Sequence, residues 1–178
     1  KGDNHPGGVL TYFYLENLPA KEDTVTLSYY DTSGALIKTF STHAEKNGSE
    51  GKMEDLKSGL NQFSWDMRYQ KAASFEGMIL WWASLNGPKA LPGSYEAKLS
   101  YKGETKTATF DILADPRSSS TPAQLQAQFD FLLSVSDKLS ETNLAIKRIR
   151  TSRAQINTFV AKVKDMESMK AVVDTSTY

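Results

Sequence analysis

Cysteine is absent from the chain, which removes disulfides, thiolate nucleophiles and cysteine-ligated zinc together. Histidine is scarce: His5 and His43 are the only two, far apart and with no second histidine at ligand spacing. No apolar run approaches the roughly 18 residues that a membrane-spanning helix needs. Neither sign of charge dominates, since 21 Lys and Arg balance 21 Asp and Glu. A chain without a basic excess is poorly suited to nucleic acid. There is no Gly-x-Ser-x-Gly elbow, no phosphate-binding Gly-Lys-Ser/Thr loop and no dinucleotide fingerprint. No cofactor is expected.

Glycine and proline are missing from one part only. All 11 glycines lie at or before Gly103, and between Ala123 and Tyr178 there is neither glycine nor proline. The chain of 178 residues therefore divides, with a strand-and-turn part at 8–114, a polar linker at 115–120 and a helical part at 121–178. Charge divides with it. Residues 1–115 hold 12 basic and 15 acidic side chains, and residues 116–178 hold 9 and 6. Aromatic content of 11% and charged content of 24% belong to an ordered globular protein rather than a disordered one. The first residue is Lys1, so the chain is expected to be a fragment or a processed product, with any signal peptide outside it.

Seven strands are predicted in the first part, at 9–15, 24–30, 35–40, 61–69, 78–83, 94–101 and 105–113. Val25, Leu27 and Tyr29 alternate onto one face, as do Tyr95, Ala97, Leu99 and Tyr101. The run at 78–83 is almost continuously apolar, as for a strand buried on both faces. Lys102-Gly103-Glu104 reads as a hairpin loop. Residues 41–58 form a long polar connection, either a mobile loop or a short helix around 52–57. Strands separated by turn residues, with no helix between them, predict an antiparallel β-sandwich.

The second part opens on a capping box, with Thr121 at the N-cap, Pro122 at the first helical position and Gln124 reaching back to the Thr121 amide. Apolar residues then recur at helical spacing, from Leu125, Phe129 and Leu132 to Ile156, Val160 and Val163. One helix from 122 to about 164 is predicted, with Ser140–Asn143 and Thr151–Ser152 as its weak points. Met166, Met169, Val172 and Val173 are expected to begin a return helix too short to cover the whole apolar stripe. The stripe then pairs with another chain or belongs to a helical hairpin cut short.

Several motifs carry a resemblance. Asp31-Thr32-Ser33-Gly34 with Ile37-Lys38-Thr39-Phe40, then Gly59-Leu60-Asn61-Gln62-Phe63-Ser64-Trp65-Asp66, then Pro92-Gly93-Ser94-Tyr95, resembles the Ig-like modules related to the flagellar hook-capping protein. With Gly77-Met78-Ile79-Leu80-Trp81, Gly87-Pro88, Asp115-Pro116-Arg117 and Leu125-Gln126-Ala127-Gln128-Phe129-Asp130 added, the order is similar to the C-terminal region of bacterial secreted proteins that carry sortilin-type or BNR-type β-propellers, often labelled glycosyl hydrolase. The resemblance covers residues 8–160 and implies an Ig-like or fibronectin-like sandwich followed by a long helix or helical hairpin. It also implies an extracytoplasmic location, periplasmic, outer-membrane-associated or secreted, and an adjoining propeller as partner. The propeller, where a family active site would lie, is not in these residues, so no catalytic residue is carried over.

The residues themselves add little chemistry. Asp66 and Asp111 fall in predicted strands and Glu54 and Asp55 in the polar connection. A glycosidase pair needs two carboxylates about 5–10 Å apart in a cleft, which a sandwich does not oblige, and Asp66 is expected to hydrogen-bond backbone at a strand end. Asp3-Asn4 and Asp31-Thr32-Ser33-Gly34 are too sparse for a calcium loop. Lys147, Arg150 and Arg153 are expected to form a solvated helix flank. Trp65 is expected in the core, and Trp81 and Trp82, read as strand residues, on opposite faces. The expected function is a non-catalytic structural or interaction module that positions a neighbouring domain, with a homo-oligomer through the helical stripe as a further expectation. The alternative is a carbohydrate-binding module whose stacking residues are Trp81, Trp82, Tyr69 and Phe75. No metal site is expected.

Overall fold

The computed structural model describes residues 2, 7–44 and 51–163. His5, Asp3-Asn4 and the positions expected to begin a return helix lie outside the described residues. The described elements run β1 (Val9–Leu15), β2 (Val25–Asp31), β3 (Leu36–Ser41), β4 (Gly51–Lys52), β5 (Gly59–Trp65), β6 (Gly93–Tyr101), β7 (Glu104–Ile112) and α1 (Pro122–Val163). They form a β-rich region followed by one long helix. A two-stranded antiparallel sheet pairs β1 with β5, and a five-stranded sheet has the order β4-β3-β2-β6-β7, with only β3 and β4 parallel. Both sheets are open at their edges.

Period-two alternation builds the core. Val25, Leu27 and Tyr29 of the central strand β2 are fully buried, flanked by Ile37 and Phe40 from β3 and by Tyr95 and Ala97 from β6. Leu99 and Tyr101 pack against the same cluster, as the alternation predicts. The smaller sheet reaches this core through Phe13, Leu15 and Trp65. The Trp65 indole stacks on the Tyr29 ring at 4.3 Å between centroids and 19° between planes, and meets Tyr95 and Phe110 edge-on. Each polar handle is paired, the indole N–H donating to the Arg68 carbonyl at 3.0 Å and the Tyr29 hydroxyl lying 2.7 Å from Thr11 Oγ1.

Turn chemistry fixes the connections. Lys102 and Gly103 have φ of 50° and 81°, so the β6–β7 hairpin closes on two left-handed residues whose twist matches the strands. Lys102 is held there by Asp23 at 3.3 Å, and the Tyr101 hydroxyl donates to the same carboxylate. Between β2 and β3, Oδ1 of Asp31 accepts from the Ser33 amide, the Ser33 hydroxyl and the Ala35 amide, so that oxygen is committed to its own turn.

Three expectations are corrected. The strand predicted at 61–69 starts at Gly59 and stops at Trp65, because Asp66 turns the chain by accepting from the Arg68 amide and Met67 takes φ of 59°. The short helix considered around 52–57 does not form; Gly51–Lys52 is a two-residue strand, and Asp55 is left-handed. The strand predicted at 78–83 is an irregular segment, for Gly77 with φ of 74° turns the chain and neither sheet supplies a pairing partner. An apolar run reports composition, and composition alone does not say what covers it.

The helix follows its predicted course. Thr121 and Gln124 exchange the two capping-box bonds, at 2.9 and 3.3 Å. α1 then runs unbroken for 42 residues, about 63 Å at 1.5 Å per residue. Its polar weak points do not break it, and there Ser140, Thr142 and Thr151 pair their hydroxyls with the carbonyl four residues earlier.

Burial pushes the Tyr29 phenol up to about 12, and burial does the same for Tyr69. In the unfolded chain both ionise near 10. The stabilisation is therefore complete below pH 10 and is lost as the pH rises towards 12. The urea midpoint is expected to fall across that window. Tyr29→Phe should flatten the fall and Tyr29→Phe with Tyr69→Phe should flatten it further, read by denaturation at stepped pH.

Candidate interaction surface

Between β5 and β6 lies a 27-residue connection, 66–92, with no regular strand or helix. Its two legs are nevertheless joined. Ala90 donates to Met67 O at 2.6 Å, Tyr69 to Pro88 O at 2.9 Å and Ala72 to Leu85 O at 2.8 Å. These bonds make an antiparallel stem, and residues 73–84 project beyond it as a loop. Gly87 is needed in the stem, since a Cβ there would stand 2.6 Å from the Tyr69 carbonyl oxygen and still nearer that of Gln70.

The helix grips one leg of this loop. Ser140 Oγ accepts from the Ala73 amide at 3.1 Å, and Asn143 Nδ2 donates to the Ala73 carbonyl at 2.7 Å. Ala73 is thus held at both its amide and its carbonyl, which belong to the two peptide units flanking it, by residues three apart on one helix face. Asn143 is the one buried residue of the described helix. Further along, Arg150 donates to the Glu76 carbonyl at 2.9 Å, and its guanidinium lies 4.5 Å from the Phe75 ring centre. From Asn143 to Arg150 the helix rises about 10 Å, the length of three extended residues from Ala73 to Glu76. The leg therefore runs alongside the helix. Tyr69 meets Phe129 edge-on at 4.9 Å at the near end.

At the far end the loop is uncovered. Ile79 is 79% exposed, Trp81 87% and Trp82 96%, with Leu80 exposed between them. The structure does not bring the four sequence-predicted stacking residues together on one platform. Tyr69 and Phe75 are half-buried under the helix, while Trp81 and Trp82 stand free at the tip. The expected placing of the tryptophan pair on opposite faces of a strand is corrected, because a strand's alternation does not apply to an irregular tip and both rings are exposed. α1 leaves a second uncovered set, including Phe131, Val135, Leu139, Ile149 and Ile156.

Two clefts flank the loop–helix contact. One, of about 490 Å³, is lined by Tyr69, Gln70, Lys71, Leu133, Asp137 and Ser140, and Gln70 Oε1 is buried there without a donor. The other, of about 460 Å³, lies between Lys89, Leu91, Asp115, Leu125 and Phe129. Each holds a single carboxylate. A smaller hollow of about 220 Å³ contains Asp23, Asp55 and His43. Asp23 is held below the usual carboxylate range by the Ala20 amide, with Lys102 and Tyr101 adding to the effect. His43 Nε2 lies 2.7 Å from the Lys21 carbonyl and must donate to it, which leaves Nδ1 to the Thr42 and Thr24 hydroxyls. Asp66 accepts from the Arg68 amide as expected, and Lys38 lies 3.8 Å away. Asp111 accepts from Ser94, and Glu54 pairs with Lys52. Among the described residues, no group of three His, Asp or Glu side chains could hold a metal, and no helix is long and apolar enough to cross a membrane.

Sequence reasoning missed the gripping pair Ser140 and Asn143. Its signal was present, for two poor helix formers three apart in mid-helix interrupt an apolar seam. No family model, curated protein or solved structure matches this chain.

Asn143→Ala leaves the Ala73 carbonyl buried and unpaired and should destabilise by about 1–3 kcal/mol. Amide exchange should speed up at 73–84 with the sheets unaffected, and Asn143→Asp, which cannot donate, should behave alike. Exchange measured by mass spectrometry separates this local opening from global unfolding.

Proposed function

We propose that this chain is a non-catalytic interaction module that positions a neighbouring domain of the same polypeptide. In this reading the two sheets form an Ig-like sandwich, and the parent is a secreted or periplasmic protein with a sortilin-type or BNR-type propeller. One observation carries it: a helix of 42 residues buries a single side chain, Asn143, while Phe131, Val135 and Leu139 stand exposed at intervals of four on one face. Apolar side chains spaced in that way serve a partner surface. The polar hollows support a non-catalytic reading in that Asp23 is engaged by Lys102 and the Ala20 amide, Asp115 by Arg117, and His43 by the Lys21 carbonyl.

A second reading, carbohydrate binding, is favoured by the exposure of Trp81 and Trp82. Its platform is limited to that pair, because Tyr69 and Phe75 are engaged by Phe129 and Arg150.

Phe131→Ser with Val135→Ser should leave the melting temperature of this chain nearly unchanged, since exposed substitutions shift stability by about 0.5 kcal/mol or less. In the chain joined to its neighbouring domain, the same pair should remove amide protection from α1. Equal exchange of α1 with and without the neighbour overturns the reading, and concentration-dependent protection in the chain alone assigns the stripe to a second copy.

A further inference from the structure

We propose that the 73–84 loop is a peripheral docking site for an anionic phospholipid surface, with Ile79, Trp81 and Trp82 entering the headgroup layer and the basic flank of α1 lying over the phosphates. The proposal does not depend on the helix stripe at Phe131, Val135 and Leu139 and stands or falls separately.

The chemistry of the tip comes first. Four consecutive residues, Ile79-Leu80-Trp81-Trp82, are apolar and exposed at the end of a projecting loop. Tryptophan partitions to the membrane interface, where its ring is apolar on one side and its N–H remains wet. Ile79 and Leu80 offer nothing for stacking on a pyranose, but both gain by leaving water for the acyl boundary. The irregular backbone of 78–83 has no place in the hydrocarbon core, where unpaired amides find no partner. It suits the hydrated headgroup layer. The tip therefore dips and does not span.

Charge completes the surface. From Thr142 to Val163 the helix carries Lys147, Arg148, Arg150, Arg153 and Lys162 and no acidic residue, in a chain whose formal net charge is zero. All five are exposed. Arg150 is fixed at the foot of the tip by its bond to the Glu76 carbonyl, and Lys147 and Arg153 lie three residues to either side of it. Glu76 is the one acidic residue between 67 and 92. An apolar tip beside a basic flank is complementary to anionic lipid. Each Lys or Arg near such a surface contributes about fivefold to binding, and salt weakens the contribution.

The test uses the whole chain with two kinds of vesicle, phosphatidylcholine alone and phosphatidylcholine with about one phosphatidylglycerol in three lipids. Trp65 is fully buried, so a shift in emission reports Trp81 and Trp82. Co-sedimentation with the anionic vesicles and a blue shift are expected, both reversed by high salt. Trp81→Ser with Trp82→Ser should abolish binding while leaving the circular dichroism unchanged. Lys147→Gln and Arg153→Gln should each weaken it about fivefold. Absence of binding to either vesicle overturns the proposal, as does equal binding to both. A blue shift that grows with protein concentration without lipid gives the tip to a second copy of the chain. The same shift with a soluble acidic polysaccharide, unaccompanied by sedimentation with vesicles, gives it to a glycan.

Discussion

The stacking of Trp65 on Tyr29 is the contact on which the other parts depend. A two-stranded sheet has little stability of its own in water. Here the indole at the end of β5 lies flat on a phenol at the centre of the five-stranded sheet, and Tyr95 and Phe110 close around it. Both polar atoms are satisfied, so the contact gains apolar burial without leaving a donor stranded. The indole also donates to the Arg68 carbonyl, past the end of its own strand. The same side chain that joins the sheets thereby fixes where the 66–92 connection departs.

That departure point sets the place of everything outside the core. Arg68 donates from its guanidinium to the Gly87 carbonyl, Gly87 lies against the Tyr69 and Gln70 carbonyls, and the stem bonds follow outward to Ala72 and Leu85. The helix then lies along the stem and the first leg of the loop rather than spreading over a sheet. Its polar residues make the specific bonds, while much of its apolar face stays in water. The molecule thus has a rigid aromatic centre and a rim of apolar groups held in defined positions.

Much of the sheet was legible because the alternation of Val25, Leu27 and Tyr29, and of Tyr95 and Ala97, is a period-two signal that few other structures produce. The hairpin at Lys102-Gly103 and the cap at Thr121 and Gln124 were legible because a few local atoms decide them. The tip was not. Met78 to Ala83 reads as a buried strand by composition, and only the missing pairing partner shows otherwise. The two-point hold on Ala73 was legible on one side only. Ser140 and Asn143 stand out as polar residues in an apolar seam, but their partners are main-chain groups some 70 positions away, which carry no side-chain signature.

This last feature bears on how the fold tolerates change. Ser140 and Asn143 recognise an amide and a carbonyl that every residue except proline would present, so the two bonds themselves do not depend on which side chain stands at position 73. The mounting and the mounted segment are therefore uncoupled in heredity. Apical residues can be exchanged wholesale while the bracket stays intact, and one framework can come to display quite different cargo at its rim.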